Sequence, residues 1–469
     1  MKNNELLELK SISNKQTNII TNNKLKSKSS KIKILENNKS SKKVNNQNKI
    51  DETKKNIINY IDLCCGIGGF RIAINNFEKK SNYKFNCVMS ADIKEDALKT
   101  YNTNFQEDNK KTDIFDIDKI PAFDLLLAGF PCQPFSSAGH KKGFDDTRGG
   151  IIFTIIDICK KYTPKYVILE NVSNLISLNN GKSIERICKE FNDIDYNVSY
   201  KKLNAVDFGI PQNRERVFII CSYKNNINFD KLQNLNANIK LKDIIDNNSK
   251  YTDIEENFAK KIINLHSQTP LFGYKLQDKR GGKYNIHSWD IGTNGEISIN
   301  ERKLMNNIMK ERRKKHWAEK KKIDWMDGMP LTFEEIKTFY DVPNLKIMLD
   351  NLAKKKYLKL EKPKKLVNGK RIYDVNGLDG YNICKGKLSF PITNILDPNS
   401  VSPTLTATDS NKLAIIIDNK FIRKLTDNEI KELCGFPKTF ILPQGVDKYD
   451  LFGNTVVPQV VEAVLKCIF

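Results

Sequence analysis

Short apolar runs alternate with helix-like stretches over the first half of the chain. A glycine-rich turn at 66–69 separates the first run from a helical pattern at 71–77, and the later runs are spaced similarly. Such alternation is typical of crossover units, which build a mostly parallel sheet covered on both faces. The pattern therefore predicts a doubly wound α/β fold. The predicted strands are 57–63, 87–91, 123–128, 166–169 and 216–221.

The region from about 225 to 400 is polar and rich in lysine, and it lacks this alternation. Helices are predicted at 331–340 and 344–355, and strands at 357–360 and 371–373 around a lysine-rich turn. Two helices followed by a basic hairpin are the order of a winged helix-turn-helix, whose second helix enters a DNA groove. An ordinary α+β insertion with a solvated basic face explains the pattern equally well. Under the first hypothesis, the residues near phosphates are Lys354, Lys355, Lys356, Lys364 and Lys365.

The two ends of the chain differ from its middle. Residues 1–55 are rich in Lys, Asn and Ser, so they cannot bury enough apolar surface to offset the entropy of ordering. Residues 456–469 are apolar and helix-compatible, and we expect this C-terminus to pack back onto the α/β sheet. The predicted divisions are a disordered basic tail at 1–55, an α/β domain at 56–224, a second, smaller domain at 225–400 and a return to the first domain at 401–469.

The chain carries 78 Lys and Arg residues against 56 Asp and Glu residues, a formal net charge of +22. A basic balance favours a nucleic acid as partner, because neutralising phosphates releases counterions. Lys, Asn and Ile are abundant throughout the chain, which weakens this argument, since a biased genome composition gives the same excess. No apolar run approaches the length of a membrane span and no secretory signal opens the sequence, so we expect no membrane partner and a cytoplasmic location.

Ten cysteines and four histidines raise the question of a metal site. The histidines are scattered, and no Cys-x-x-Cys pair occurs. The ligand spacing of zinc ribbons and fingers is therefore missing, and we expect no metal. In a reducing compartment most of these thiols would be small buried hydrophobes.

Residues that could carry chemistry follow the predicted strands, where α/β sheets bind their ligands. Gly66, Gly68 and Gly69 lie between the first strand and its helix, and glycines there let the backbone approach a nucleotide-like ligand. Asp92 ends the next strand, where a carboxylate can accept hydrogen bonds from ribose hydroxyls. Taken alone, the glycines form a common turn and Asp92 is more simply a helix N-terminal residue.

The segment 129–139 has the sequence Gly-Phe-Pro-Cys-Gln-Pro-Phe-Ser-Ser-Ala-Gly and follows a predicted strand. Pro131 and Pro134 flank Cys132 and stiffen the loop, so the sulfur can be presented in a fixed direction. A thiolate is a strong nucleophile towards an electron-poor ring carbon, and nearby positive groups lower the pKa of the thiol. These features favour a nucleophilic cysteine over a packed one.

A carboxyl group and two guanidinium groups could face the same cleft. Glu170 follows the fourth predicted strand, and if desolvation raises its pKa it can donate a proton near neutrality. Arg214 and Arg216 lie in the Gln-Asn-Arg-Glu-Arg run at 212–216 and suit a carbonyl oxygen or a phosphate. A surface ion-pair cluster is the alternative, and it is more plausible for one arginine than for both.

These segments together, and in this order, resemble the motifs of the DNA (cytosine-5) methyltransferase family. The Asp-Leu-Cys-Cys-Gly-Ile-Gly-Gly-Phe-Arg run at 62–71 resembles the family's cofactor loop, and Phe-Pro-Cys-Gln-Pro-Phe-Ser at 130–136 its nucleophile loop. The matches cover 57–223 and 401–469, and the segment between them stands where the family has its target recognition domain. Further matches are Glu-Asn-Val at 170–172, Gln-Asn-Arg-Glu-Arg-Val-Phe at 212–218, Leu-Cys-Gly-Phe-Pro at 433–437 and Gly-Asn-Thr-Val-Val-Pro at 453–458.

The resemblance implies a Rossmann-like methyltransferase that uses S-adenosyl-L-methionine. Cys132 would attack C6 of a cytosine flipped out of double-stranded DNA, because the stacked ring is otherwise out of reach. Glu170 would hold and protonate N3, and Arg216 would contact the carbonyl oxygen of the base, with Arg214 counted among the catalytic residues. C5 would accept the methyl group before its proton and the thiol leave. The residues implied for the cofactor are Cys64, Gly66, Gly68, Gly69, Asp92, Ile93, Asp113, Ile114 and Asn454.

Within that set, Asp92 would bind the ribose hydroxyls, Asp113 and Ile114 would bracket the adenine, and Asn454 would support the pocket. Two residues depart from the family's usual pattern. Cys64 stands where an aromatic residue commonly lies against the adenine, and Asp92 stands where glutamate is commoner. The first change puts the place of Cys64 in the cofactor site in doubt, and the second shortens the reach to the ribose.

Two alternatives remain open at this point. An RNA cytosine-5 methyltransferase of the same fold would act on transfer RNA, although such relatives usually lack a long recognition domain. A DNA-binding protein with an inactive methyltransferase fold is disfavoured by the intact set of Cys132, Glu170 and Arg216. The resemblance also implies a monomer that serves a restriction-modification system, with a cognate endonuclease that acts on the same site. The residues do not give the recognition sequence.

Overall fold

A six-stranded sheet forms the centre of the protein. The computed structural model describes residues 55–131, 150–235, 238–321, 323, 329–384 and 390–469, all of them within one compact unit that spans 51–469. The predicted tail at 1–55, apart from Lys55, lies outside the described residues, and so does Cys132.

The described elements follow in chain order. The strands are β1 (Asn56–Leu63), β2 (Tyr83–Ala91), β3 (Leu125–Gly129), β4 (Tyr166–Val172), β5 (Tyr196–Asn204), β6 (Gln212–Asn213), β7 (Glu215–Tyr223), β8 (Lys275–Leu276), β9 (Asn285–Ile286), β10 (Leu358–Glu361), β11 (Lys364–Val367), β12 (Lys370–Tyr373), β13 (Gly380–Ile383), β14 (Asn394–Ile395), β15 (Ser402–Pro403), β16 (Leu413–Ile417) and β17 (Phe421–Lys424). The helices are α1 (Gly69–Glu78), α2 (Glu95–Phe105), α3 (Gly150–Tyr162), α4 (Lys182–Asn192), α5 (Glu256–Gln268), α6 (Ser288–Ile291), α7 (Ile299–Glu311), α8 (Lys315–Lys320), α9 (Phe333–Lys337), α10 (Leu345–Lys354), α11 (Asp427–Leu433), α12 (Lys448–Gly453) and α13 (Pro458–Ile468).

The central sheet has the strand order β2–β1–β3–β4–β7–β5. Its first four strands are parallel, and β7 is antiparallel to both of its neighbours. The prediction of an α/β fold around a mostly parallel sheet is therefore confirmed. The sequence pattern does not predict β5, and it ends β4 too early. Because β4 continues to Val172, Glu170 lies inside the strand rather than after it.

Alternate side chains of the central strands point to opposite faces of the sheet, and both faces are buried. Leu125 and Leu127 of β3 belong to the apolar cluster that contains α1 and α13. Leu126 and Ala128 belong to the cluster on the other face, which contains α3 and α4. Burial on both sides explains why such strands are continuous apolar runs in the sequence.

The C-terminal helix α13 packs on the sheet beside α1. Val461 shares a buried cluster with Ile74 of α1, and the ring centroid of Phe469 lies 5.3 Å from that of Phe85 in an edge-to-face contact. The stretch Lys448–Ile468 is long and apolar enough to cross a membrane by composition, but 72% of its most apolar window is buried inside the protein. This packing accounts for its apolar character.

Two further cores lie between β7 and α11. One contains α7 to α10 with β10 and β13, and the other contains α5 with β8, β14, β16 and β17. The domain boundaries at 225 and 400 stay a prediction. The predicted helix at 331–340 is shorter than expected, since α9 covers only Phe333–Lys337.

The predicted hairpin between 357–360 and 371–373 is wrong in its pairing. Strand β10 pairs with β13, and β12 pairs with β11. Pro363, which lies between β10 and β11, has no N–H to donate, so β10 does not continue as a paired strand into β11. The chain reverses instead at Asn368 and Gly369, which both have positive φ, as a two-residue hairpin turn of this type requires.

Replacing Gly69 by alanine should destabilise the fold, because the C-terminal segment lies against this glycine. A Cβ at Gly69 would stand 2.3 Å from the carbonyl oxygen of Val456, a backbone atom that cannot rotate away. We expect a loss of about 1–3 kcal/mol in the free energy of unfolding, measured by urea denaturation. Gly129→Ala is the control, since its Cβ would meet nothing closer than 3.4 Å. Equal stability of the two variants would contradict this packing.

Candidate active site

Strands β4 and β7 bring Glu170 and Arg216 together at the end of the sheet where β3 also ends. Gly129, the last residue of β3, is the register partner of Glu170 in β4. On the other side of β4, Val172 pairs with Arg216 of β7. Side chains from β4 and β7 can therefore meet beside the point where the chain leaves β3.

Glu170 and Arg216 form an ion pair at this edge. The Nε atom of Arg216 lies 3.1 Å from Oε1 of Glu170, and Glu170 is only 8% exposed. Burial raises the pKa of Glu170 above its ordinary value of 4.5, although the positive charges of Arg216 and Arg214 oppose that rise. The desolvation of the carboxylate outweighs both cations, so this group keeps its proton to a higher pH than an exposed glutamate.

Arg214 is buried and engaged with the backbone. Its guanidinium donates hydrogen bonds to the carbonyl oxygen of Leu405 at 3.0 Å, of Gly453 at 3.1 Å and of Thr455 at 2.6 Å. Burial, together with the neighbouring charge of Arg216, lowers the pKa of Arg214 to about 10. The side chain predicted as catalytic therefore joins β6 and β7 to the C-terminal segment.

Asn171 fixes the chain that leads to the predicted nucleophile. Its side-chain amide donates to the carbonyl oxygen of Phe130 at 3.1 Å, and Asn171 is almost completely buried. Phe130 is itself buried and lies two residues before Cys132 in the sequence. Cys132 lies outside the described residues, so its role stays a prediction.

The loop after β1 approaches Asp92. Cys64, Gly66 and Gly68 all have positive φ, of 54°, 55° and 87°. The backbone N–H of Gly66 donates to Oδ2 of Asp92 at 2.8 Å, and the N–H of Lys94 donates to Oδ1 at 2.8 Å. Asp92 therefore holds the glycine loop against the end of β2.

The remaining predicted cofactor residues surround that loop. Thr112 donates its N–H to the carbonyl oxygen of Asp92 at 3.0 Å, which brings Asp113 next to β2. The side chain of Asp113 caps the following 3-10 turn by accepting from the N–H of Phe115, and Ile114 is buried in the sheet's core. Ile93, by contrast, is 53% exposed.

Burial, together with the neighbouring carboxyl groups of Asp92, Asp62 and Asp113, raises the pKa of the Cys64 thiol to about 12. These four residues therefore lie close enough to interact electrostatically. A thiol with a raised pKa stays protonated near neutrality, so Cys64 does not have the character of a nucleophile.

Asn454 connects the C-terminal segment to this part of the sheet. Its amide donates to Asp450, to the backbone oxygen and to Oδ1, at 2.8 Å each. Asp450 in turn binds the ammonium group of Lys94 at 2.8 Å, and the backbone of Lys94 binds Asp92. A continuous chain of hydrogen bonds thus runs from Asn454 to the glycine loop.

Asp62 is the first residue of the run at 62–71 that resembles the cofactor loop, but the sequence alone assigns no role to it. The side chain is completely buried, neither of its oxygens has a hydrogen-bond partner among the described residues, and burial raises its pKa well above the ordinary range. An orphaned carboxyl group beside a glycine loop is suited to a ligand that brings its own donors. The signal in the sequence is an aspartate inside an otherwise apolar strand.

Replacing Arg214 by methionine should destabilise the protein strongly. Three buried carbonyl oxygens would lose their donor, and each such loss costs about 1–3 kcal/mol. We expect the free energy of unfolding to fall by about 3 kcal/mol or more in urea denaturation. Arg302→Met, at a half-exposed ion pair with Asp290, should change it by less than about 0.5 kcal/mol. If Arg214→Met behaves like this control, Arg214 does not join these segments.

Comparison with known proteins identifies the family. The model for the C-5 cytosine-specific DNA methylases matches residues 58–469. The chain is 43% identical over 420 residues to the Type II methyltransferase M.NlaIV of Neisseria lactamica, an alignment that covers 87% of this chain and 97% of that protein. It is 35% identical over 434 residues to the Type II methyltransferase M.BanI of Aneurinibacillus aneurinilyticus, with 88% and 96% covered. The predicted resemblance is confirmed: the chain belongs to the C-5 cytosine-specific DNA methylase family and is a DNA cytosine-5 methyltransferase.

Proposed function

We propose that this enzyme methylates C5 of a cytosine flipped out of double-stranded DNA, with S-adenosyl-L-methionine as donor and a transient covalent bond between Cys132 and C6. The observation that carries the proposal is the buried carboxyl group of Glu170 beside Arg216. Glu170 is in register with Gly129, and Cys132 follows Gly129 by three residues in the sequence.

Three residues have separate roles in the reaction of the base. Cys132 adds its sulfur to C6, and the electron pair of the ring moves towards N3, which accepts a proton from Glu170. Arg216 is placed to bind the carbonyl oxygen of the base, where it stabilises the charge that develops. The adduct makes C5 nucleophilic. Once C5 is methylated, a base takes its proton, the cysteine sulfur leaves C6 with its bonding pair, and N3 returns its proton to the Glu170 carboxylate, which restores the aromatic ring.

The cofactor residues suit S-adenosylmethionine. When bound, this group supplies an electrophilic methyl group. Asp92 retains lone pairs for ribose hydroxyls, and the orphaned oxygens of Asp62 can accept hydrogen bonds from a donor-bearing ligand. The small side chain of Cys64 leaves space where the family usually has an aromatic ring, so contact with the adenine would depend on Asp113 and Ile114.

A restriction-modification role follows from the relatives. M.NlaIV and M.BanI are both named Type II methyltransferases, and the chain aligns with nearly their whole length. We propose that the enzyme protects a specific duplex sequence from a cognate endonuclease, and that it acts as a cytoplasmic monomer. Within the part of the chain that the structure describes, no cluster of three or more metal-binding side chains occurs.

A duplex that contains 5-fluorocytosine should trap the enzyme through Cys132. The fluorine cannot leave C5 as the proton does, so the covalent bond would persist after methyl transfer. We expect a complex that survives denaturing electrophoresis, with the modified peptide at Cys132 in mass spectrometry. Cys132→Ser should give no complex, and Cys188→Ser, at a cysteine of α4, should trap normally. An adduct at any other cysteine would overturn the assignment of Cys132 as the nucleophile. Reaction with transfer RNA but not with duplex DNA would show that RNA is the substrate.

Glu170→Gln should slow methyl transfer without displacing the side chain. Glutamine has the shape of glutamate but cannot supply the proton to N3, so we expect the single-turnover rate to fall by about 10²–10⁴-fold. Transfer of a labelled methyl group to DNA measures this rate. Glu190→Gln, at an ion pair on α4, is the matched control and should keep the wild-type rate. A rate for Glu170→Gln within a few-fold of wild type would exclude Glu170 as the proton donor.

A further inference from the structure

The four helices α7 to α10 pack against a small sheet formed by Leu331, β13 and β10. The backbone of Leu331 exchanges two hydrogen bonds with Tyr381 of β13, and β13 pairs on its other side with β10. Helices α7 and α8 precede Leu331 in the chain, and α9 and α10 lie between Leu331 and β10. One buried cluster joins all of these elements. Apart from the short α8, which lies between α7 and Leu331, the order is a helix, a short strand, two helices and two strands around a projecting hairpin, which is that of a winged helix.

Helix α10 occupies the position of the recognition helix. Its buried side holds Leu345, Met348, Leu349 and Leu352. The opposite side presents Ile347, Asp350 and Lys354, spaced by three and four residues along one stripe. Ile347 is 72% exposed, so its apolar side chain is accessible to a partner.

Asp350 is held in a fixed orientation on that stripe. Its Oδ1 accepts hydrogen bonds from the ammonium group of Lys346 at 2.9 Å and from the hydroxyl of Tyr381 at 2.9 Å. Lys346 also lies 2.7 Å from the same hydroxyl. A carboxylate can accept from the amino group of cytosine, and an isoleucine can contact the methyl group of thymine, so the stripe carries groups that suit base edges in a major groove.

The hairpin β11–β12, which corresponds to the wing, is strongly basic. Between 364 and 373 it carries Lys364, Lys365, Lys370 and Arg371 and no acidic residue. Leu366, Ile372 and Tyr373 are about half exposed, and none of them joins the buried cluster. Of the acidic residues that follow the hairpin, Asp374 pairs with Lys365 of the hairpin and Asp379 pairs with Lys362, which still leaves the hairpin with more positive than negative charge. The charge of this ribbon is therefore complementary to DNA phosphates.

We infer that α7, Leu331, α9, α10 and the strands β10 to β13 form a winged-helix module, in which the stripe on α10 contacts base edges of the target sequence and the β11–β12 hairpin contacts the adjacent DNA backbone. This inference rests on the proposed function, because it assigns to named side chains the choice of the duplex site that is methylated. An α-helix fits the width of the major groove, and a basic ribbon beside it can follow the phosphates.

The first arm of the experiment tests the helix. Plasmid DNA is methylated by wild type, Ile347→Ala, Asp350→Ala and the control Ile299→Ala, which also removes an exposed isoleucine, from α7. Bisulfite sequencing gives the motif of each. We expect the two α10 variants to lose discrimination at one or two base pairs of the motif by roughly 10-fold. The control should keep the wild-type motif. If the α10 variants also keep the wild-type motif unchanged, α10 does not contact the bases.

The second arm tests the hairpin by the salt dependence of binding to the duplex that the wild type methylates. The double variant Lys364→Ala/Lys370→Ala should weaken binding to target and random duplexes alike and reduce the slope of log Kd against log salt by roughly two. The control Lys80→Ala/Lys165→Ala removes the same number of positive charges. Both lysines lie just before a strand, Lys80 before β2 and Lys165 before β4, at the end of the sheet opposite to the candidate site, so the slope should stay unchanged. Equal slopes for the two double variants would remove the hairpin from the interface.

The outcomes separate this inference from the proposed function. If wild type methylates cytosine in duplex DNA but neither set of variants differs from its control, the module assignment is wrong and the proposed function stands. If wild type itself transfers no methyl group to duplex DNA, the proposed function fails first. All substituted side chains are exposed or half-exposed, so thermal unfolding should confirm that each variant folds.

Discussion

The site depends on a buried guanidinium group that binds backbone from distant parts of the chain. Arg214, between β6 and β7, donates to carbonyl oxygens at Leu405, Gly453 and Thr455. An arginine suits this task because its donors lie in a fixed planar fork. The cost of burying its charge is offset only while these acceptors stay in place. The return of the chain after 400 is thus coupled to the strand that carries Arg216.

Two opposite effects act on the carboxyl group of Glu170. A proton donor must be dry enough to hold its proton near neutrality, yet an unpaired buried charge would be costly when the proton leaves. Arg216 lies 3.1 Å away and stabilises the ionised form, while burial favours the neutral form. Burial is the larger of the two effects, so the pKa of Glu170 lies above its ordinary value, in the direction that the proposed proton donor requires.

Much of this arrangement could be predicted from the sequence, and the failures have physical causes. The parallel strands appear because burial on both faces makes them continuous apolar runs, as in β3. Strand β5 lies at the edge of the sheet with exposed Lys201 and Lys202, so its pattern is too polar to stand out. The β10–β13 pairing joins residues far apart in the chain, which no local pattern specifies. The backbone role of Arg214 depends on carbonyl groups, which carry no sequence signal.

The measurement that most directly tests the account is a carbon-13 NMR titration of the Glu170 carboxyl group, assigned by comparison with Glu170→Gln. Desolvation outweighs the two arginines in this account, so the midpoint should lie above the ordinary value of 4.5. It should rise further in Arg216→Gln, because the nearest positive charge is gone. A midpoint at or below the ordinary value in the wild type would show that the ion pair dominates. Glu170 would then be ionised at neutral pH and could not be the proton donor to the base.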